Sequence, residues 1–303
     1  MAYKLKRNES ANAGIRRIAR EEIDESLDLL EKSDTDPEVT VHELRKHFKK
    51  IRALARLVRD ELGAEAYDRD NEAVRGLGRR LASVRDSTVR VSALERLRST
   101  YEKEFSADGM SPVQKKLASR HRAALGRLGR GTTLSAIAGE LEALRRRVRA
   151  WPLQQEGFPC LEAGFRRGYR QGRQGAAEAY ATRTDDAFHD WRKRAKDLRY
   201  HVELLEPVWP ETMKDLEKTL HTLTDHLGDD HDFAGLRMTL TASPKLTEGA
   251  TGVTTVIELI DRRRSELQGL ARPIGARIYA EKSRAFSRRI ESYWEAWRSC
   301  PDE

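Results

Sequence analysis

One charged segment occurs twice in this chain. His42-Glu43-Leu44-Arg45-Lys46 recurs 147 residues later as His189-Asp190-Trp191-Arg192-Lys193, and the register continues through Lys49 on Lys196, Ile51 on Leu198 and Arg52 on Arg199. Upstream, Gly14-Ile15-Arg16-Arg17 with Arg20 matches Gly164-Phe165-Arg166-Arg167 with Arg170. Downstream, Arg85-Asp86 falls on His231-Asp232, with Leu77 and Leu81 on Leu223 and Leu227. Three landmarks in the same order, twice over, imply two related halves. The stretch WPLQQEGFPC at 151–160 interrupts the pattern with two prolines and a glycine, which divides the chain into residues 1–150 and 151–303.

Proline punctuates the rest, because inside a helix it removes a hydrogen bond and clashes with the preceding turn. Pro37, Pro112, Pro152, Pro159, Pro207, Pro210, Pro244 and Pro273 fall between periodic segments. The intervals read as helices at 9–32, 37–62, 65–105 with a break near Asp86, 111–127, 133–150, 160–182, 185–206, 211–228, 253–269 and 273–299. Alternating β-branched runs are absent apart from an ambiguous VTTVIELI at 253–260, so the expected class is all-α. At 303 residues the chain can bury a sizeable core. Its two cysteines, Cys160 and Cys300, form no CxxC pair and suit a reducing compartment. Neither a signal-like apolar start nor a run of about 20 apolar residues is present, so a cytoplasmic protein without a membrane partner is expected. No cofactor fingerprint is found.

At about 100° per residue, Arg45, Lys46, Lys49, Arg52 and Arg56 share with His42 a stripe about 120° wide, opposite Val41, Leu44, Phe48, Ile51, Leu54, Ala55, Val58 and Leu62. The second copy repeats this, with His189, Arg192, Lys193, Lys196 and Arg199 on one face and Trp191, Ala195, Leu198, Val202 and Leu205 on the other. Solvated helix faces usually interleave acids and bases, since like charges at i,i+4 cost about 0.2–0.5 kcal/mol per pair. Neither stripe contains an acid. A bound polyanion would relieve that repulsion. Residues 42–59, 164–173 and 189–199 carry net +6, +4 and +3 of a total of +8, so the remaining chain is net −5. The charge is concentrated rather than diffuse.

In the segment GFRRGYRQGRQG, Arg166, Tyr169, Arg170 and Arg173 share one side, while Gly164, Gly168, Gly172 and Gly175 fall on the other and suggest close approach to a neighbouring helix. The histidines of HTLTDHLGDDHD recur every five residues, which does not place two on one helix face as a helical zinc pair requires. A helix end at Gly228, with Asp229, Asp230 or Asp232 capping the next helix, is the simpler reading.

The doubled HxxRKxxKxxR run, the Arg85-Asp86 element and LGDDHD at 227–232 together resemble the CHAD family, whose name stands for conserved histidine α-helical domain. The resemblance extends from about Gly14 to about Trp297. It implies two pseudo-symmetric four-helix bundles whose basic faces line a shared groove or pore, and inorganic polyphosphate as ligand. Carried onto this chain, it implies contacts from His42, Arg45, Lys46, Lys49, Arg52 and Arg56, and from His189, Arg192, Lys193, Lys196 and Arg199, with Arg16, Arg20, Arg166, Tyr169, Arg170 and Arg173 extending the surface. It further implies a stand-alone, non-catalytic binder that could localise to polyphosphate granules. His47 aligns with Arg194 and Lys50 with Asp197, so the halves differ in charge. Two alternatives stay open, a nucleic-acid-binding helical protein and a metal-dependent phosphohydrolase using His221, His226, His231 and Asp232.

Overall fold

The computed structural model describes residues 3–32, 36–105, 107–130 and 132–300, and all regular structure among them is helical. The helices are α1 (Ala11–Glu31), α2 (Pro37–Leu57), α3 (Arg59–Arg80), α4 (Ala82–Thr100), α5 (Ala107–Arg130) and α6 (Thr133–Arg149). After 151–158 follow α7 (Pro159–Thr182), α8 (Asp185–Leu204), a 3-10 turn at Glu206–Val208, α9 (Pro210–Ala242), α10 (Pro244–Thr247), α11 (Val253–Ile278) and α12 (Ser283–Ser299).

The two repeated helices begin where local chemistry starts them. Asp36 caps α2 by accepting from the Glu38 N–H at 2.8 Å, with Pro37 in the first turn. Thr184 caps α8 by accepting from the Ala187 N–H at 3.3 Å, and Asp185 and Asp186 face the positive end of the helix dipole. Each helix then buries its apolar side, including Leu44, Phe48, Ile51 and Leu54 of α2 and Trp191, Ala195, Leu198 and Val202 of α8.

The helix α1 packs on α2 and α6, and α3 on α2 and α6; α7 packs on α8 and α12, and α9 on α8 and α11. The main core draws apolar side chains from both sides of residues 151–160. A smaller core joins α4 and α5 to the later part of α9 and to α11, around Leu94, Met110, Phe233 and Leu236.

Several boundaries differ from the sequence expectation. The segment expected at 65–105 divides at Leu81 rather than near Asp86, and the earlier break is Gly63, at φ 73° and ψ 163°. Gly228 does not end a helix. The α9 helix runs on to Ala242 because Phe233, Leu236 and Leu240 continue its buried face, and Asp230 accepts from Arg264 at 3.0 Å and Gln268 at 2.9 Å instead of capping. Pro112 lies inside α5 and Pro273 inside α11. For α11, burial of Ala271, Gly275 and Ile278 around the proline outweighs the lost hydrogen bond, and the chain breaks only before Ser283. The ambiguous 253–260 stretch is helical.

The glycine side of α7 allows the close contacts its spacing implied. A Cβ on Gly164 would sit 1.7 Å from the Leu57 carbonyl oxygen of α2, and one on Gly172 would sit 2.4 Å from the Tyr279 hydroxyl. Gly164 thereby sets the distance between α7 and the end of α2. Substitution Gly164→Ala is expected to destabilise the fold by about 1–3 kcal/mol or more, because backbone rather than a flexible side chain must yield. Gly139→Ala, with nothing within 4 Å of the added carbon, is expected to stabilise α6 by up to about 1 kcal/mol. Chemical denaturation of both variants checks the pair.

Candidate functional site

Packing the apolar sides of α2 and α8 into one core brings parts of their cationic faces together. Arg45 and Lys49 of α2, Arg85 of α4, and His189 and Arg192 of α8 line a cavity of about 310 Å³, which His231 and Asp232 of α9 also border. An adjoining cavity of about 400 Å³ shares Arg45, Lys49 and His189 and extends over Arg52 towards Arg75 and Arg79 of α3.

The electrostatics reflect this convergence. Burial pushes the Lys49 ammonium well below its ordinary value, and Lys196, Arg192, Arg45 and Arg85 push it the same way. Lys196 is brought down to about 8 by burial, then by Arg192 and Arg199, against the opposing pull of Asp225. Arg45 and Arg192 are lowered by burial with Arg85 adding to it, opposed by Asp86 and Asp232 respectively. Arg52 falls to about 10 through burial and Arg56. Among the described residues, Lys49 and Lys196 make no hydrogen bond or ion pair, and the Nε atoms of Arg45 and Arg192 are buried without an acceptor. Arg45 donates through Nη1 to the Gly78 carbonyl at 2.6 Å, and buried donors left without an acceptor are uncommon in folded proteins.

The histidines form a second layer. His189 stacks on His231 with ring centroids 4.2 Å apart. Burial, His189 and Arg192 lower His231 to about 4, and burial with Lys193 and Arg192 lowers His189. His42 is largely exposed, and partial desolvation with Lys49 and Arg85 lowers it against the pull of Glu43.

Other sequence-derived candidates sit elsewhere. Lys46 pairs with Glu43 at 3.1 Å, and Lys193 pairs with Asp190 on an exposed surface. Arg199 faces Glu217 at 3.2 Å, and Arg56 donates to Asp197 across the two halves at 2.7 Å. Arg16 does not reach the cavity, because its guanidinium holds the carbonyls of Trp151 and Leu153 at 2.8–3.1 Å. Tyr169 is core rather than surface, stacked on Phe286 and donating its hydroxyl to the Ile278 carbonyl at 2.9 Å. Arg166 lies 3.5 Å from Glu162, Arg173 reaches the Glu281 carbonyl, Arg170 is exposed, and the Arg20 Nε is buried without a partner. None of these four lines either cavity.

Arg85 is the principal residue that the stripe analysis left out. It acts electrostatically on Arg45, Lys49, Arg192, Lys196, His42 and His231. Its signal was present in the doubled Arg85-Asp86 and His231-Asp232 element, which the structure places in one cavity. The histidines of 221–232 do not converge, since His221 pairs with Asp225 at 2.8 Å while His231 turns to His189.

Among known families, the CHAD domain model matches residues 17–241. A search of curated proteins found no significant match.

The lowered Lys196 value makes stability depend on pH in a definite direction. Between about 8 and the ordinary lysine value of 10.5 the unfolded chain binds more protons than the folded one, so the ligand-free protein gains stability as pH rises from about 8. Urea denaturation from about pH 7 to 10 is expected to show that rise, and Lys196→Met to flatten it.

Proposed function

The chain belongs to the CHAD family, and from that premise we propose that it binds inorganic polyphosphate, without catalysis, in the cationic cavity between α2, α4, α8 and α9. CHAD domains bind polyphosphate in general. The observation that carries the reading to these residues is the group Arg45, Lys49, Arg85 and Arg192 on the cavity wall, which share one field with Lys196 beside it and repel one another. A flexible polyanion would remove that repulsion at several positions. Arg would grip phosphate oxygens with its planar fork and Lys would act as a mobile point charge. Counterion release would supply much of the affinity, as it does for other phosphate chains.

We read the fold as two pseudo-symmetric bundles, 1–150 and 151–303, with the basic faces of α2 and α8 lining a shared groove. The 147-residue offset and the contribution of both halves to the cavity support this. His42, Lys46, Lys193 and Arg199 would meet the chain where it leaves the cavity, and Arg56 would meet it at the far end of the α2 stripe. Nucleic acid is the second reading. It is disfavoured because, among the described residues, Phe48 is the one aromatic on either cavity wall besides His189 and His231 and is itself buried, whereas single-strand binders offer stacking platforms. The phosphohydrolase reading lacks convergence of His221, His226 and His231. Among the described residues no helix is long and apolar enough to cross a membrane. Binding to polyphosphate granules would follow from the ligand.

Calorimetric titration with polyphosphate at fixed salt, in competition with RNA and duplex DNA, tests the assignment. Polyphosphate is expected to displace both, and equal or better displacement by nucleic acid would overturn the reading. Replacing Arg45, Lys49, Arg192 and Lys196 by alanine is expected to weaken binding by roughly a hundredfold or more. The same change should shrink the salt slope by about 3, with helicity intact.

A further inference from the structure

A third cavity lies between the halves, at the far end of the α2 stripe. It encloses about 160 Å³, roughly ten times the ~10–15 Å³ that one water needs. Arg56 and Arg59 border it from the first half, and Arg167, Arg194, Asp197 and His201 from the second. Arg56 is only one helical turn beyond Arg52 at the edge of the second cavity, yet no residue lines both this cavity and either of those that hold Lys49.

Its chemistry is unusual for an arginine-lined space. Two of its arginines are already matched, Arg56 by Asp197 at 2.7 Å and Arg167 by Asp60 at 2.7 Å. Arg194 makes no hydrogen bond or ion pair among the described residues, and Arg59 only covers the Tyr67 ring. His201 is 1% exposed. Its Nε2 lies 2.9 Å from the Ala53 carbonyl oxygen, which can only accept, so Nε2 carries the proton and Nδ1 is a bare acceptor. No donor meets that Nδ1, which has almost no accessible surface of its own, so a ligand in the cavity reaches it only by a small outward rotation of the ring. The ring faces Gly168, also on the cavity wall, where an added Cβ would stand 3.3 Å from Nδ1. Burial keeps the ring neutral.

The wall therefore asks for two things at once, an anion for Arg194 and Arg59, and a proton donor for the His201 Nδ1 beside the Asp197 carboxylate. An internal phosphate of a chain has no proton to give. Orthophosphate, or the terminal group of a phosphate chain, has both oxyanions and a hydroxyl. We infer that this cavity binds a protonated phosphate group, with its hydroxyl donating to His201 Nδ1 and its charged oxygens accepting from Arg194. The chain-end version of this inference rests on the polyphosphate reading, whereas the orthophosphate version does not.

The test follows the His201 Nδ1 resonance by nitrogen NMR near pH 6, where phosphate ends keep part of their second proton. Three probes are titrated. Orthophosphate and linear tripolyphosphate are expected to shift the resonance, whereas cyclic trimetaphosphate, which has no end, is expected to leave it in place. Arg194→Gln and Gly168→Ala should each weaken the orthophosphate response by roughly tenfold, and Arg194, half-buried and unpaired, can be replaced without removing a structural contact. The alanine variant of Arg45, Lys49, Arg192 and Lys196 should leave the response unchanged even if long-chain binding is lost, which separates failure of the main cavity from failure of this one. No shift with orthophosphate would mean that only water occupies the cavity. An equal shift with the cyclic probe, or indifference to both variants, would overturn the inference as well. A shift with orthophosphate but not with the linear chain would assign the site to the free ion and reject the chain-end version.

Discussion

Lys49 and Lys196 are held within reach of each other's charge by helices whose opposite faces cannot leave the core. The site depends on that enforced proximity. Lowering Lys196 from 10.5 to about 8 corresponds to a penalty on the order of 3 kcal/mol for keeping it charged. Such a cost persists only because Leu44, Ile51, Trp191 and Leu198 are fully buried on the other side of the same two helices. Tilting either helix to relax the cations would expose them.

Carboxylates brace the site at its margins, while Asp86 and Asp232 border the cavity and partly offset Arg45 and Arg192. Asp197 holds Arg56, Glu203 lies 3.7 Å from Lys50, and Asp232 lies 3.1 Å from Arg96. Each of these pairs joins the first half of the chain to the second. Asp197 and Glu203 line neither cationic cavity, and among the described residues Lys49 and Lys196 keep no hydrogen bond or ion pair. The unequal pairs noted between the repeats acquire a role here. Lys50 and Asp197, which occupy matching positions, each serve an ion pair between the halves instead of adding to the anion-facing stripe.

Much of this was legible in the residues. Helix class, the buried sides of α2 and α8, and the close approach of α7 all follow from periodicity and from glycine spacing, which are local properties. The misplaced boundaries at Gly228 and Pro273 share one cause, since both residues weaken a helix locally while the buried apolar face of that helix continues past them. Periodicity places Arg16 and Tyr169 equally incompletely. Each shares a helical face with basic neighbours, yet Arg16 serves the carbonyls of the 151–153 turn and Tyr169 fills the core against Phe286.

The amino-acid order by itself determined that two helices would carry acid-free cationic rows, because side-chain type and a period of 3.6 residues suffice to place charges on one face. Only the tertiary structure decided which of those cations share a cavity, that Arg85 joins them, and that His201, on the wall of another one, buries a nitrogen without a donor. Those facts concern distances between residues more than 30 positions apart in the chain. They are fixed by how the buried faces pack, a property of all the helices together.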